Sequence, residues 1–248
     1  MTKIKSMAYI PSPKGNGFYA THIKETNYLH ERFMRSICEH IAKNKLPVTL
    51  KGGTALLLCY GLDRHSEDID LDSNKKNDLT HIIQDAAKKL NIEIQNISLP
   101  KDTDTVRRYK VAYTQGHIAK SLKIETSLRH GFDKEKTVLI NNIQTYQKSH
   151  LVKLKIAAFQ NRTVARDFHD LMFLANTDIS IRAELAPFIM EQFKQINPLF
   201  DKLHAAYQDD ELLTDLLYTD FGLLEKLHKE VKDSLAEHDD DDDFIRLC

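Results

Sequence analysis

Asp68, Asp70 and Asp72 stand at every second position and alternate with Ile69 and Leu71. A strand with that pattern buries its aliphatics on one face and aims its carboxylates at the other. Carboxylates gathered on one face repel one another, and a divalent cation among their oxygens relieves the repulsion. Magnesium takes hard oxygen ligands and keeps waters and substrate phosphates, so it suits Asp68 and Asp70. Just upstream, Lys51-Gly52-Gly53-Thr54 follows the apolar run from Leu46 to Leu50. Paired glycines let backbone amides approach a phosphate closely, and a helix starting near Thr54 would point its amino end at the same anion. Arg64 and Ser66 lie between the two segments, a cation and a hydroxyl. A Gly-Gly pair alone is usually a turn, and an Asp-x-Asp alone usually a solvated loop. Their combination in one strand-turn-helix-strand unit reads as a nucleotide-handling metal site.

Further along, Leu122, Ile124 and Leu128 alternate with Lys123, Glu125, Ser127 and Arg129, the period of a strand with one buried face. Glu125 is then either a third acidic ligand or a surface carboxylate paired with Lys123 or Arg129. With the acidic strand upstream, the ligand reading is preferred. In the helix containing Leu151, Leu154, Ala158 and Phe159, Lys155 falls inside the apolar stripe, and Arg162 lies two turns further on the same face. An inward lysine wants an anion, either a triphosphate or a structural carboxylate. Asp167 is the local candidate for the second. It falls in the stripe of Val164, Phe168, Leu171 and Ala175, with Asp170 at its margin.

The run from Lys51 to Asp72 resembles the opening motifs of the AbiEii abortive-infection toxin family, minimal nucleotidyltransferases of the DNA-polymerase-beta-like superfamily. Leu122-Lys123-Ile124-Glu125 is similar to the family's second motif, Lys155-Ile156-Ala157-Ala158-Phe159 through Arg162 to its third, and Arg166-Asp167-Phe168-His169-Asp170-Leu171 to its fourth. The four span about half the chain in the right order, and residues beyond about 180 carry no such signature.

The resemblance implies nucleotidyl transfer, in which an acceptor hydroxyl attacks the alpha-phosphate of a ribonucleoside triphosphate and pyrophosphate leaves. Asp68, Asp70 and Glu125 would hold magnesium or manganese, and Lys155 with Lys51 or Arg64 would balance the triphosphate charge. Gly52, Gly53 and Ser66 would cradle its oxygens, and Asp167 would orient Lys155 or act as a base. Gly-Gly-Thr stands where the superfamily often has Gly-Ser, which leaves the hydroxyl contact to Thr54 or Ser66. The acceptor implied is RNA, best the 3′ end of transfer RNA, with a toxic outcome restrained by a cognate antitoxin. Three alternatives stay open: transfer to a small hydroxyl compound, transfer to a protein Ser or Tyr, and a catalytically idle nucleotide-binding module.

The elements that must position these residues give an α+β chain. A long helix over 22 to 44 leads into a strand at 46 to 50, a short helix at 54 to 60 and the acidic strand at 68 to 72. Asp78 caps a helix reaching about Leu90, and strands follow near 92–97, 105–114, 121–128 and 137–143. After Lys148 the pattern is helical, interrupted at Pro187 and Pro198, with loops near 176–180 and 207–210. The expected organisation is a minimal nucleotidyltransferase domain over 1–148, a small mixed sheet with helices, followed by a helical bundle over 149–248. The site is expected in the cleft between them.

The net charge of −1 leaves no whole-chain basic footprint. Locally, Arg107, Arg108, Lys110, Lys120 and Lys123 interleave with Tyr109, Tyr113 and His117. These either hold single-stranded RNA by phosphates and stacked bases or form a solvated strand pair with aromatics packed inward. Asp239 to Asp243 reads as a solvated or disordered acidic tail, with a lid or an antitoxin dock as lesser readings. Three scattered cysteines, Cys38, Cys59 and Cys248, encode neither a disulfide framework nor a zinc cluster. Twelve histidines show no zinc-fixing spacing. Residues 1–12 lack a signal-type apolar core, and no stretch approaches the roughly 20 apolar residues of a bilayer span. A cytoplasmic protein without membrane contact is expected.

Overall fold

The computed structural model describes the backbone of residues 17–210 and 213–245, with side chains over 24–210 and 213–233. The leader expectation for 1–12 lies outside the described residues, as does Cys248. The chain divides between Leu151 and Val152 into two compact units.

In the first unit, α1 (Gly17–Lys43) runs into β1 (Val48–Lys51), α2 (Gly52–Tyr60), β2 (Asp68–Ser73) and α3 (Thr80–Lys89). Then come β3 (Glu93–Asp102), β4 (Val106–Gln115), β5 (Ile118–Ser127), β6 (Thr137–Ile140) and β7 (Ile143–Tyr146). The sheet order is β3-β4-β5-β2-β1-β7-β6. It is mixed: β2 lies parallel to β5 and β1 to β7, while the remaining neighbours are antiparallel. Alternation decides its two faces. Ile69, Leu71, Tyr109, Val111, Tyr113, Leu122 and Ile124 are buried on one face, which α1, α2 and α3 cover. Asp68, Asp70, Asp72 and Glu125 share the other and stay half-buried. α3 starts where expected, since Asp78 accepts a hydrogen bond from the Thr80 amide at 2.9 Å.

The expected strand at 137–143 is two strands. Asn141 and Asn142 both take the left-handed conformation, φ 51° and 60°, and turn the chain back as a hairpin. Asparagine tolerates that region well, so the Asn-Asn pair carried the signal.

The second unit is helical: the greater part of α4 (Lys148–Arg162), then α5 (Ala165–Thr177), α6 (Ile179–Lys194), α7 (Ile196–Asp209) and α8 (Leu217–Ile245). α5 packs on α6, α7 and α8. Its core includes Phe168 with Phe221 at 5.0 Å between ring centres, and Phe159 with Phe188 at 5.5 Å. The expected interruption near Pro198 is the break between α6 and α7 at Gln195, whereas the one at Pro187 does not occur. Pro198 sits in the first turn of α7, where its nitrogen needs no helical partner, and Pro187 lies inside α6. There the helix forgoes the bond from residue 187 to Ala183, and the burial of Leu185, Phe188 and Ile189 holds it. The backbone of Asp239 to Asp243 belongs to α8; the side chains of that acidic run lie outside the described residues. No described helix is long and apolar enough to cross a membrane.

Candidate active site

The turn from β1 into α2 is built around Asp70. Lys51 is extended at the amino end of α2, and Gly52 opens the helix at φ 75°, a conformation that glycine adopts without strain. A Cβ on Gly52 would lie 3.0 Å from Asp70 Oδ2, and one on Gly53 would lie 2.8 Å from Arg64 Nη2 and 3.2 Å from Ser66 Oγ. The glycines thus bring the first turn of α2 against the carboxylate, the guanidinium and the hydroxyl together. Thr54 and Ser66 are buried, with the Thr54 hydroxyl 2.8 Å from Ser66 Oγ and also within bonding reach of the Asp68 carbonyl. Its single proton therefore ties α2 to the start of β2. Arg64 donates to the His65 carbonyl at 2.9 Å.

Strand register sets the rest. Lys51, Asp70, Glu125 and Arg108 are successive neighbours across β1, β2, β5 and β4; one row over, Asp68, Lys123 and Lys110 line up in the same way. Among the described residues, each of the four carboxylates on this face of β2 and β5 but Asp70 has a close cation. Lys123 meets Asp68 at 2.5 Å, Lys51 meets Asp72 at 2.6 Å, and Arg108 meets Glu125 through Nε at 2.7 Å and Nη2 at 2.6 Å. Asp72 also accepts from the Tyr146 hydroxyl at 2.9 Å. Asp70 is the exception, and its carboxyl is pushed above the ordinary range. Burial is the main cause; Lys123 and Lys51 pull against it, while Asp68 and Glu125 add to it.

This donor set fits a hard divalent cation. Asp68 and, at adjacent register positions, Asp70 and Glu125 supply carboxylate oxygens from one face of the sheet, the hard oxygen donors that such a cation takes. Among the described residues no three His, Cys, Asp or Glu side chains already converge as a ligand group. Lys123 and Arg108 hold Asp68 and Glu125 instead.

The other candidates form a second cluster on α4 and α5. Lys155 Nζ lies 3.0 Å from Asp167 Oδ1 and 2.5 Å from Asp170 Oδ2, all three buried. Arg162 Nε meets Asp167 Oδ2 at 2.6 Å while its side chain remains 60% exposed. Burial alone would raise the Asp167 carboxyl, but the Arg162 hydrogen bond and the charge and hydrogen bond of Lys155 outweigh it and hold it below the usual carboxylate range.

For a paired Glu125, sequence reasoning offered Lys123 or Arg129, whereas Glu125 meets Arg108 and Lys123 meets Asp68; it also missed Lys51 and Tyr146 as partners of Asp72, and the full weight of Asp170. Asp170 was the accessible one, because three residues beyond Asp167 it shares that face of α5. The cross-strand partners depend on pairing that no local pattern reveals. The basic and aromatic stretch resolves against base stacking by its tyrosines: Tyr109 and Tyr113 are buried on the helix-covered face, while Arg108 and Lys110 point from the opposite one.

A model of the family described as nucleotidyl transferase AbiEii toxin, type IV TA system, matches residues 32–245. Two crystal structures from Helicobacter pylori are similar. JHP933 has a TM-score of 0.68 and 29% identity over 87% of this chain and 97% of its own. A protein provisionally described as a nucleotidyltransferase has a TM-score of 0.69 and 29% identity over 84% of this chain and 97% of its own. No curated protein matches the chain.

Proposed function

Because the chain belongs to the AbiEii nucleotidyl transferase toxin family and is a nucleotidyltransferase, we propose that it moves a nucleoside monophosphate from a ribonucleoside triphosphate to a hydroxyl of RNA, at the 3′ end of a transfer RNA. In this reading magnesium or manganese is the cofactor, the compartment is the cytoplasm, and a cognate antitoxin restrains the activity. The observation that carries the reading is the direct pairing of Asp70 with Glu125 across β2 and β5, with the Asp70 carboxylate against the amino end of α2 at Gly52.

A divalent cation held by Asp68, Asp70 and Glu125 would offset the phosphate charge and lower the pKa of the attacking hydroxyl. The residues do the remaining work. The amides of Gly52 and Gly53, at the positive end of α2, receive triphosphate oxygens. Lys51 and Arg64 add positive charge beside them, and Ser66 keeps Thr54 and the turn in place. Lys123 must release Asp68 for the ligand set to form, and its ammonium then stands ready for phosphate oxygen. Within the second unit, Lys155 and Arg162 are proposed as nucleotide-binding residues. Asp167 is proposed as the anchor that orients Lys155; a carboxyl held below the usual range is a weak proton acceptor, which disfavours the base role.

The test is to incubate the protein with magnesium, each alpha-labelled ribonucleoside triphosphate in turn and total cellular RNA, and to resolve the products on a denaturing gel. Label in a transfer-RNA-sized band that is lost in Asp70→Ala is the expected result. Label in protein or in a small molecule would replace RNA with one of the alternative acceptors.

A further inference from the structure

We propose that His30, far from the motifs in sequence, is a positioning residue for the carboxylates of β2. This rests on the reading of Asp68 and Asp70 as metal ligands. His30 lies on α1 and is fully buried, and its Nε2 lies 2.8 Å from the carbonyl oxygen of Glu67, the residue just before Asp68. Its Nδ1 lies 2.6 Å from the hydroxyl of Tyr113 on β4. The partners fix the tautomer. A carbonyl only accepts, so Nε2 carries the proton and donates. Burial pushes the pKa of His30 down to about 4, with the Glu67 hydrogen bond opposing and the nearby Lys120 charge assisting. The neutral ring then accepts at Nδ1, and Tyr113 donates.

The ring cannot turn away from this task. It stacks near Tyr113, with 6.1 Å between centres and 21° between planes, and meets the edge of His65 at 5.7 Å. Tyr113 in turn abuts Phe33 of α1 at 4.9 Å. Glu67 is the point where the loop from α2 enters β2. Its carbonyl is held by His30, and the next carbonyl, that of Asp68, is held by Thr54. Two buried side chains from α1 and α2 thus fix consecutive peptide groups at the ligand-bearing end of β2. Positioning of this kind by groups behind metal ligands is commonly worth about 10- to 100-fold in metal affinity.

The test is Mn2+ binding to the full chain, read by the loss of the free-ion paramagnetic resonance signal, well below the thermal midpoint of each variant. His30→Ala removes the donor. His30→Gln keeps an amide N–H about where Nε2 stands, and Tyr113→Phe removes only the group that locks the tautomer. The expected result is a dissociation constant raised about 10-fold in His30→Ala, largely recovered in His30→Gln and intermediate in Tyr113→Phe. Thermal midpoints measured alongside separate this from loss of fold. Unchanged affinity in His30→Ala, equal loss in His30→Ala and His30→Gln, or no Mn2+ binding by the wild-type chain would each overturn the proposal. Wild-type binding with the expected ordering, but no label transfer to any acceptor, would uphold the positioning role and count against the transferase reading of the site.

Discussion

At Asp70, charge and burial pull in a direction that stability alone would not favour. Its folded-state carboxyl lies above the ordinary carboxylate range, chiefly through burial. The folded chain therefore holds that proton more tightly than the unfolded chain. The resulting stability is fully present below the unfolded pKa and is lost as pH rises through the raised folded value. Asp70→Asn cannot ionise, so it escapes that loss. In the absence of divalent metal, its thermal midpoint should equal or exceed that of wild type at neutral pH, and the difference should shrink as pH falls into the ordinary carboxylate range. Transfer activity should fall on the order of a thousandfold, the scale of several kcal/mol of lost transition-state stabilisation. Circular dichroism melts across pH and the labelled-nucleotide assay check the two halves; a midpoint well below wild type at neutral pH would make Asp70 a structural residue. The carboxylates were legible in the sequence because alternation with Ile69 and Leu71 needs only local geometry. Their neutralisation by Lys123, Arg108 and Lys51 was not, because it depends on which strands pair and in what register.

The β1–α2 turn is the element on which the site depends most directly. Gly52 has φ 75° and leaves no room beside Asp70 Oδ2, whereas Gly61, at the other end of the same helix, has φ 76° and nothing within 4 Å of an added Cβ. An alanine at either position carries the left-handed backbone penalty, about 1–2 kcal/mol. Only at position 52 does it also press on the carboxylate. Gly52→Ala and Gly61→Ala should therefore lose similar stability in urea titrations, while Gly52→Ala alone loses most of its nucleotidyl transfer. Equal activity in the two variants would remove the turn from the site. The same scale shows where the sequence misled. A helical period reports the burial of α6 correctly, yet Pro187 reads as a break, because one missing hydrogen bond was weighed without the packing around it. The alternation over 137–143 was read as one strand although Asn141 and Asn142 mark a hairpin, and the tyrosines of β4 needed the position of α1 before their direction could be settled.

For the whole molecule, 35 basic and 36 acidic side chains nearly cancel, so cohesion must come from cores rather than from any net field. In the first unit that core can be followed through a thiol. Cys38 is buried on α1 among residues that pack against the sheet, and burial first, with the neighbouring Cys59 assisting, holds its thiol well above the ordinary range. Cys59 is half-buried, and burial pushes its pKa up to about 11. Neither thiol forms appreciable thiolate near neutrality, so alkylation needs exposure rather than local reactivity. Pulsed alkylation along a urea series, read by mass spectrometry of the Cys38 peptide, should show protection until the sheet unfolds, with a labelling midpoint that coincides with the loss of its circular dichroism signal. Labelling at lower urea would mean that α1 leaves the sheet before the sheet melts. Because α1 also carries His30, such early opening would free the Glu67 carbonyl while the strands are still paired. Mn2+ affinity measured at the same urea concentrations would then fall with α1 rather than with the sheet, whereas coincident midpoints would make helix, strand entry and carboxylates one cooperative unit.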